Sequence, residues 1–336
     1  MSASRREFLG KLAAAVAGVA GAGAASMPAP VQAAQPHGQP QDAAALPPST
    51  LPARRLGRTG ATLPVLALGG FHLGAAADEK AARTLVETAL EEGVRFFDSA
   101  ESYQDGRSER WLGAAIASLG VRKDVWLMTK THSPADRSAE SARRHLAGSL
   151  ERLRTDRLDL WQLHAVASPE DVDRAFAVGG AMEYILEQQA AGVVRCVGVT
   201  GHADPAANLR ALEHFDRGMR FDVMQLPINP IDAHTARSFQ KQVLPALVER
   251  DLGVLAMKTN AGGALSKQAV CTVEECLRYA LGLPVALVVS GMETPEQVRK
   301  NAATVRQPPL DEAQREGLLA RIAGRAGDDL EWYKAK

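Results

Sequence analysis

The amino-acid sequence predicts a single (β/α)8 TIM barrel over residues 54–336. Three observations carry that expectation. Eight short apolar runs recur, segments of helical period separate them, and the length of the region suits one α/β barrel. The runs at 63–69, 95–99, 125–130, 158–164, 194–200, 221–227, 253–259 and 285–290 are read as strands. They are apolar on both faces, as in Val125-Trp126-Leu127-Met128, the pattern of parallel strands covered by helices. An open doubly wound sheet fits the same alternation, but eight units favour closure. Between the first two strands, Ala82, Leu85, Val86, Ala89 and Leu90 share one helix face, and Gly93 sits at the C′ position. Ser168-Pro169 and Thr294-Pro295 read as an N-cap followed by Pro at the first helical position. Thr294 with Gln297, and Thr272 with Glu275, have capping-box spacing.

The chain before residue 54 reads as an address and a connector. Ser4-Arg5-Arg6-Glu7-Phe8-Leu9-Gly10-Lys11 precedes an uncharged Ala/Gly-rich stretch over 12–25, and Val31-Gln32-Ala33 has the small residues of an export cleavage site. Paired arginines before a mild apolar region define a twin-arginine signal peptide over 1–33. Pro36, Pro40, Pro47, Pro48 and Pro52 mark 34–53 as an extended, disordered linker rich in Pro, Gln and Ala. Export by the twin-arginine translocation machinery, to a bacterial periplasm, is therefore expected.

Composition narrows the function. Lys plus Arg and Asp plus Glu number 39 each, so no broad basic field exists for nucleic acid. No apolar run reaches the roughly 18 residues of a membrane span, so stable insertion of the mature chain is not expected. Cys196, Cys271 and Cys276 form no C-x-x-C pair, which excludes a disulfide scaffold and the common thiolate zinc sites.

Barrel chemistry gathers at the C-terminal ends of the strands. Those ends hold Asp98 with Tyr103 in the following loop, then Lys130, then His164. A lysine ammonium beside a phenol favours the phenolate, so Lys130 is expected to lower the Tyr103 pKa by roughly one to three units. Asp98 would keep Lys130 charged, and His164 would orient a substrate oxygen or relay a proton. A plainer reading makes Asp98 the cap of a helix starting near Arg107. Thr259-Asn260-Ala261-Gly262-Gly263 and Ser290-Gly291, the latter leading into a helix N-terminus, form loops suited to phosphate. A nucleotide cofactor beside a carbonyl site follows.

These residues resemble the aldo-keto reductase family. The resemblance runs from about Arg54 to Asn301. It is carried by Gly93-Val94-Arg95-Phe96-Phe97-Asp98-Ser99-Ala100, Tyr103, Gly106, Ser108-Glu109, Leu112-Gly113, Leu127-Met128-Thr129-Lys130 and Asp159-Leu160-Trp161-Gln162-Leu163-His164. It implies a catalytic tetrad of Asp98, Tyr103, Lys130 and His164, with Tyr103 as general acid. The implied reaction reduces a small aldehyde or ketone with a nicotinamide cofactor, NADP(H) favoured over NAD(H). Cofactor contacts are implied at Thr200, Gln225, Lys258, Gly262, Gly263, Gly291, Gln297 and Asn301. Gln225 would hold the carboxamide and Asn301 would meet adenine. The chain departs from the family at Thr200-Gly201, where Ser-Asn is frequent, and at Gly291 and Gln297, where basic residues are frequent. Pro227-Ile228-Asn229-Pro230 lacks an aromatic residue that often stacks on nicotinamide. Phe71, His132 and His202 are expected to line the substrate pocket. Neither a metal nor an iron–sulfur cluster is expected.

Two rival readings use the same barrel. A metal-dependent hydrolase could draw ligands from His72, His132, His164, His202 and His234. An exported nucleotide- or ligand-binding barrel without turnover would keep the fold, but has no need of Tyr103.

Overall fold

The computed structural model describes residues 46–132, 134–327 and 329–334. The residues read as a twin-arginine signal and the first part of the expected linker lie outside the described residues. A short antiparallel hairpin comes first, from β1 (Ala53–Arg55) and β2 (Thr62–Pro64). Eight parallel strands then close a barrel: β3 (Leu66–Gly69), β4 (Phe96–Asp98), β5 (Trp126–Thr131), β6 (Leu158–Val166), β7 (Val194–Gly201), β8 (Val223–Pro227), β9 (Gly253–Met257) and β10 (Leu287–Gly291). Each pairs with its neighbour in sequence, and β10 closes on β3 through Val288 opposite Leu66.

All eight expected strands are present, with one rearrangement at the first. The run at 63–69 is two strands rather than one. Pro64 offers no N–H to a ladder, so β2 stops there, and the Val65 N–H donates to the Pro52 carbonyl before β3 enters the barrel. Packing also begins earlier than Arg54. Leu51 is buried, and the Ser49 hydroxyl donates to the Gly93 carbonyl at 2.7 Å. Gly93 has φ +92°, and a Cβ there would sit 2.8 Å from the Ser49 Oγ, so glycine answers both the helix end and the close approach. The expected linker is therefore shorter than 34–53.

Side-chain alternation makes two cores. Inward-facing Ala67, Phe96, Trp126, Met128, Leu160, Val223, Leu255 and Leu287 fill one end of the barrel together with Leu56 and Leu63 of the hairpin. Because these residues come from the starts of the strands, the hairpin plugs the N-terminal end. Outward-facing Phe97, Leu127, Trp161, Leu163, Val197, Val199 and Met224 pack under the surrounding helices. One such helix, Glu79–Glu91, buries Ala82, Leu85, Val86 and Ala89 and is capped by Asp78. Ser168 and Thr294 cap the helices Pro169–Phe176 and Pro295–Arg306 through their hydroxyls. Thr272 and Glu275 form a reciprocal box at Val273–Leu281. At 294–297 the box does not close: the Gln297 side chain accepts the Glu293 N–H at 2.7 Å instead of that of Thr294. The hairpin closes the N-terminal end, and the C-terminal mouth is the end where barrel chemistry gathers.

Candidate active site

The alternation that buries Leu160 inside the barrel also points Gln162 and His164 inward, two and four residues further along β6. Asp98 closes β4 and Lys130 lies near the end of β5, so three neighbouring strands supply three of the four expected residues. Tyr103 arrives on the loop after β4. That loop turns through three consecutive left-handed residues, Gln104 (φ +47°), Asp105 (φ +54°) and Gly106 (φ +78°). The Ser108 hydroxyl ties it to the Gly70 carbonyl at 2.8 Å and to Ser99 Oγ at 2.8 Å.

Lys130 is the centre of the arrangement. Only 1% exposed, its Nζ donates to Asp98 Oδ1 at 2.6 Å, to the Ser99 carbonyl at 2.8 Å and to the Tyr103 hydroxyl at 3.4 Å. Asp98 Oδ2 accepts from Gln225 Nε2 at 3.0 Å. The helix Arg107–Leu119 starts at Gly106 without a side-chain cap, so Asp98 serves the lysine and not a helix. The His164 ring lies 5.8 Å from that of Tyr103 and 4.8 Å from that of His132, and Phe71 meets Tyr103 edge-on at 5.4 Å.

The electrostatics correct one expectation. Burial pushes the Tyr103 phenol above its ordinary value, and the pull of Lys130 is partly offset by Asp98. The phenol therefore stays protonated at neutral pH, as an acid must. Burial opposes charge on Lys130 too, but Asp98 and then Tyr103 together more than compensate and raise its pKa. His164 is held well below the usual imidazole range, first by burial and then by Lys130, His132, His202 and Arg137. Its neutral ring can orient an oxygen but adds no charge. Burial, then Lys258, also lowers His202 to about 4.

The expected nucleotide contacts divide into groups. Thr200 and Gln225 are register partners on β7 and β8, both buried. Gln225 spends its N–H2 on Asp98, while its Oε1 is buried with no hydrogen-bond partner, an acceptor suited to a carboxamide N–H2. Gly262 (φ +67°) and Gly263 (φ +96°) turn the loop after β9 so that backbone is presented where a side chain would otherwise stand. Asn301 and Ser290 are hydrogen-bonded to each other at 3.1 Å, and Gln297 braces the same corner. Gly291 stands against His72, which would clash with any Cβ there. These features fit a nicotinamide nucleotide.

Some residues at this end escaped sequence reading. Gln162, quoted within the His164 segment but given no role, is completely buried with neither amide atom hydrogen-bonded, and its two-residue offset from His164 is the signal that could have assigned one. Trp332 and Tyr333 return from the chain end to the mouth. Trp332 Nε1 donates to the Ala261 carbonyl at 3.1 Å, Tyr333 OH accepts from Asn229 Nδ2 at 2.9 Å, and the Lys258 ammonium lies 5.1 Å from the Trp332 ring. Burial and then Lys130 lower Lys258 to about 8. The histidines do not assemble a metal centre: His72 pairs with Glu293, and no group of three His, Cys, Asp or Glu suited to a metal occurs among the described residues.

A closed parallel barrel with phenol, ammonium, carboxylate and neutral imidazole at its C-terminal mouth defines a carbonyl oxidoreductase. The chain belongs to the aldo/keto reductase family, whose model matches residues 65–274. It is 32% identical over 232 residues to the uncharacterized oxidoreductase YrpG of Bacillus subtilis (strain 168), covering 64% of this chain and 68% of that one. The holo form of an aldo-keto reductase from Bacillus halodurans superposes with a TM-score of 0.68 at 23% identity, covering 81% of this chain and 96% of that one. An aldo/keto reductase from Klebsiella pneumoniae in complex with NADP and acetate gives 0.67 at 21% identity, covering 80% and 95%. The chain is an oxidoreductase, and a binding barrel without turnover is not favoured.

Proposed function

We propose that the chain reduces aldehydes or ketones at the barrel mouth, with Tyr103 as proton donor and NADP(H) as the nucleotide. A reduced nicotinamide, when bound, supplies the hydride that the carbonyl carbon accepts. Tyr103 gives its phenolic proton to the carbonyl oxygen, so an alcohol and a tyrosinate are formed. Lys130 stabilises that tyrosinate, and Asp98 holds the ammonium in place. Neutral His164 orients the carbonyl oxygen, while Phe71, His132 and His202 frame the substrate. The observation that carries this reading is one buried ammonium bonded both to Asp98 Oδ1, at 2.6 Å, and to the Tyr103 hydroxyl, at 3.4 Å.

Support for NADP(H) comes from the Klebsiella relative's NADP complex, while the free Gln225 Oε1 and the glycines of the β9 loop support a nicotinamide nucleotide of either kind. Titrating the protein with NADPH and then NADH, followed by nicotinamide fluorescence and a generic aldehyde, tests both parts. Saturable binding with oxidation on aldehyde addition is expected, NADPH binding the tighter. Tighter NADH binding would reverse the cofactor assignment, and no oxidation with any of a panel of aldehydes and ketones would remove the reductase reading.

The Arg5-Arg6 pair followed by the uncharged 12–25 stretch supports export by the twin-arginine machinery to the periplasm. Cell fractionation checks it. The full chain is expected outside the cytoplasm, and the Arg5→Lys/Arg6→Lys double variant inside. Equal distribution of the two refutes the route.

A further inference from the structure

A buried ion pair that proton transfer does not use lies directly behind a site residue. Arg137, 5% exposed, precedes the helix Ala139–Leu153, and Asp171, 4% exposed, sits in the first turn of Pro169–Phe176. Their contact is a two-pronged fork, Nε to Oδ1 at 2.9 Å and NH2 to Oδ2 at 2.7 Å. The same guanidinium donates to the carbonyls of His164, at 3.0 Å, and Ala165, at 3.3 Å. Those carbonyls belong to the point where β6 slips out of register with β7, between Leu163 and Val166. Ala165 there has φ +53°, a left-handed backbone that residues with a Cβ adopt only under constraint. A slip of this kind redirects the side chain beside it. The clamp is itself braced. Asp171 also accepts from the Ala167 N–H at 3.2 Å and from Arg174 at 2.8 Å, and the Arg137 carbonyl accepts the Ala181 N–H at 2.7 Å.

We propose that Arg137 is a positioning residue for the reduction: clamped by Asp171, its guanidinium pins the carbonyls of His164 and Ala165 and so sets the direction of the His164 imidazole toward Tyr103. It touches no reacting atom and acts only through His164. The inference rests on the reading that His164 serves the carbonyl site. A guanidinium is what the role requires, because four contacts donated by three nitrogens suit its fixed fork and not an ammonium. Its charge has a second effect. The groups facing His164 are Lys130, His132, His202, Arg137 and the Tyr103 ring, and the cationic neighbours, after burial, disfavour imidazolium. Arg137 thus aims the ring and helps keep it neutral.

Three variants separate these effects: Arg137→Lys, Arg137→Gln, and Arg137→Gln/Asp171→Asn, the last removing both buried charges in case Arg137→Gln does not fold. Steady-state kinetics are measured on each, with the His164 imidazole titration followed by NMR. Arg137→Lys is expected to keep the His164 midpoint near that of the natural protein while kcat falls about tenfold to a hundredfold at unchanged nucleotide KM. Arg137→Gln is expected to move that midpoint and the acid limb of kcat/KM upward together, with added guanidine restoring part of the rate. Natural kcat and an unmoved His164 titration in all three variants overturn the proposal. So does a parallel loss of kcat and nucleotide affinity with the titration unmoved, which marks a scaffold contact only. If the natural protein reduces no carbonyl, the reductase reading fails, and the NMR comparison still decides whether Arg137 sets the His164 environment.

Discussion

Tyr103→Phe lowers carbonyl reduction by about a hundredfold to ten-thousandfold, the range that a positioned general acid contributes. The substitution removes one oxygen and keeps the ring, so the edge-on contacts with Phe71 and His164 survive. Lys130 retains its shorter bonds to Asp98 and the Ser99 carbonyl and loses only the 3.4 Å contact. Stability and nucleotide affinity are therefore expected to stay within about twofold of the natural protein, because the loss belongs to the transition state alone. Stopped-flow oxidation of NADPH, beside a fluorescence binding titration, separates the two quantities. Retention of more than a tenth of the turnover would falsify the assignment of Tyr103 as proton donor.

Lys130→Met acts on both fold and chemistry. Lys130 is 1% exposed and Asp98 3%, so removing the ammonium strands a carboxylate inside the barrel with Gln225 as its remaining side-chain donor. Breaking one side of a buried pair typically costs about 3–5 kcal/mol, which chemical denaturation resolves easily. Turnover falls as well, since the tyrosinate formed by proton transfer loses its neighbouring cation. The double variant Lys130→Met/Asp98→Asn should recover most of the stability and none of the turnover. A Lys130→Met protein as stable as the natural one would contradict a dry, paired Asp98–Lys130 contact. Recovery of activity in the double variant would mean that the charge on Lys130 is dispensable to the acid.

The two substitutions test residues that the strand ends and the loop after β4 made visible. Eight apolar runs placed the barrel, and barrel geometry turned Asp98, Lys130 and His164 from scattered polar residues into one face. Tyr103 followed from its place in the loop after β4. Sequence missed the residues that support them. Arg137 and Asp171 are 34 positions apart and belong to no periodic pattern, so only the fold shows that they share one fork behind His164. Gln162 carried a faint signal, an inward position two residues before His164, but a glutamine in an apolar strand reads equally well as a surface residue. Trp332 and Tyr333 carried none, because their contacts with Ala261 and Asn229 span 71 and 104 residues of chain.

Local chemistry written along the chain determined the strand and helix periods, the caps at Ser168 and Thr272, and the order of polar residues at the strand ends. It is also where the twin-arginine pattern of the first residues is read. Each of these depends on neighbours a few residues apart, which a linear sequence displays directly. Tertiary structure decided the split of the first strand at Pro64, the register slip at His164 and Ala165, and the direction of the Tyr103 pKa. The last is the clearest case. Pairing with Lys130 alone argues for a lowered value, yet burial and the nearby Asp98 raise it. Desolvation and charge–charge interaction depend on everything that surrounds a group in space, and those surroundings exist only once distant segments have packed.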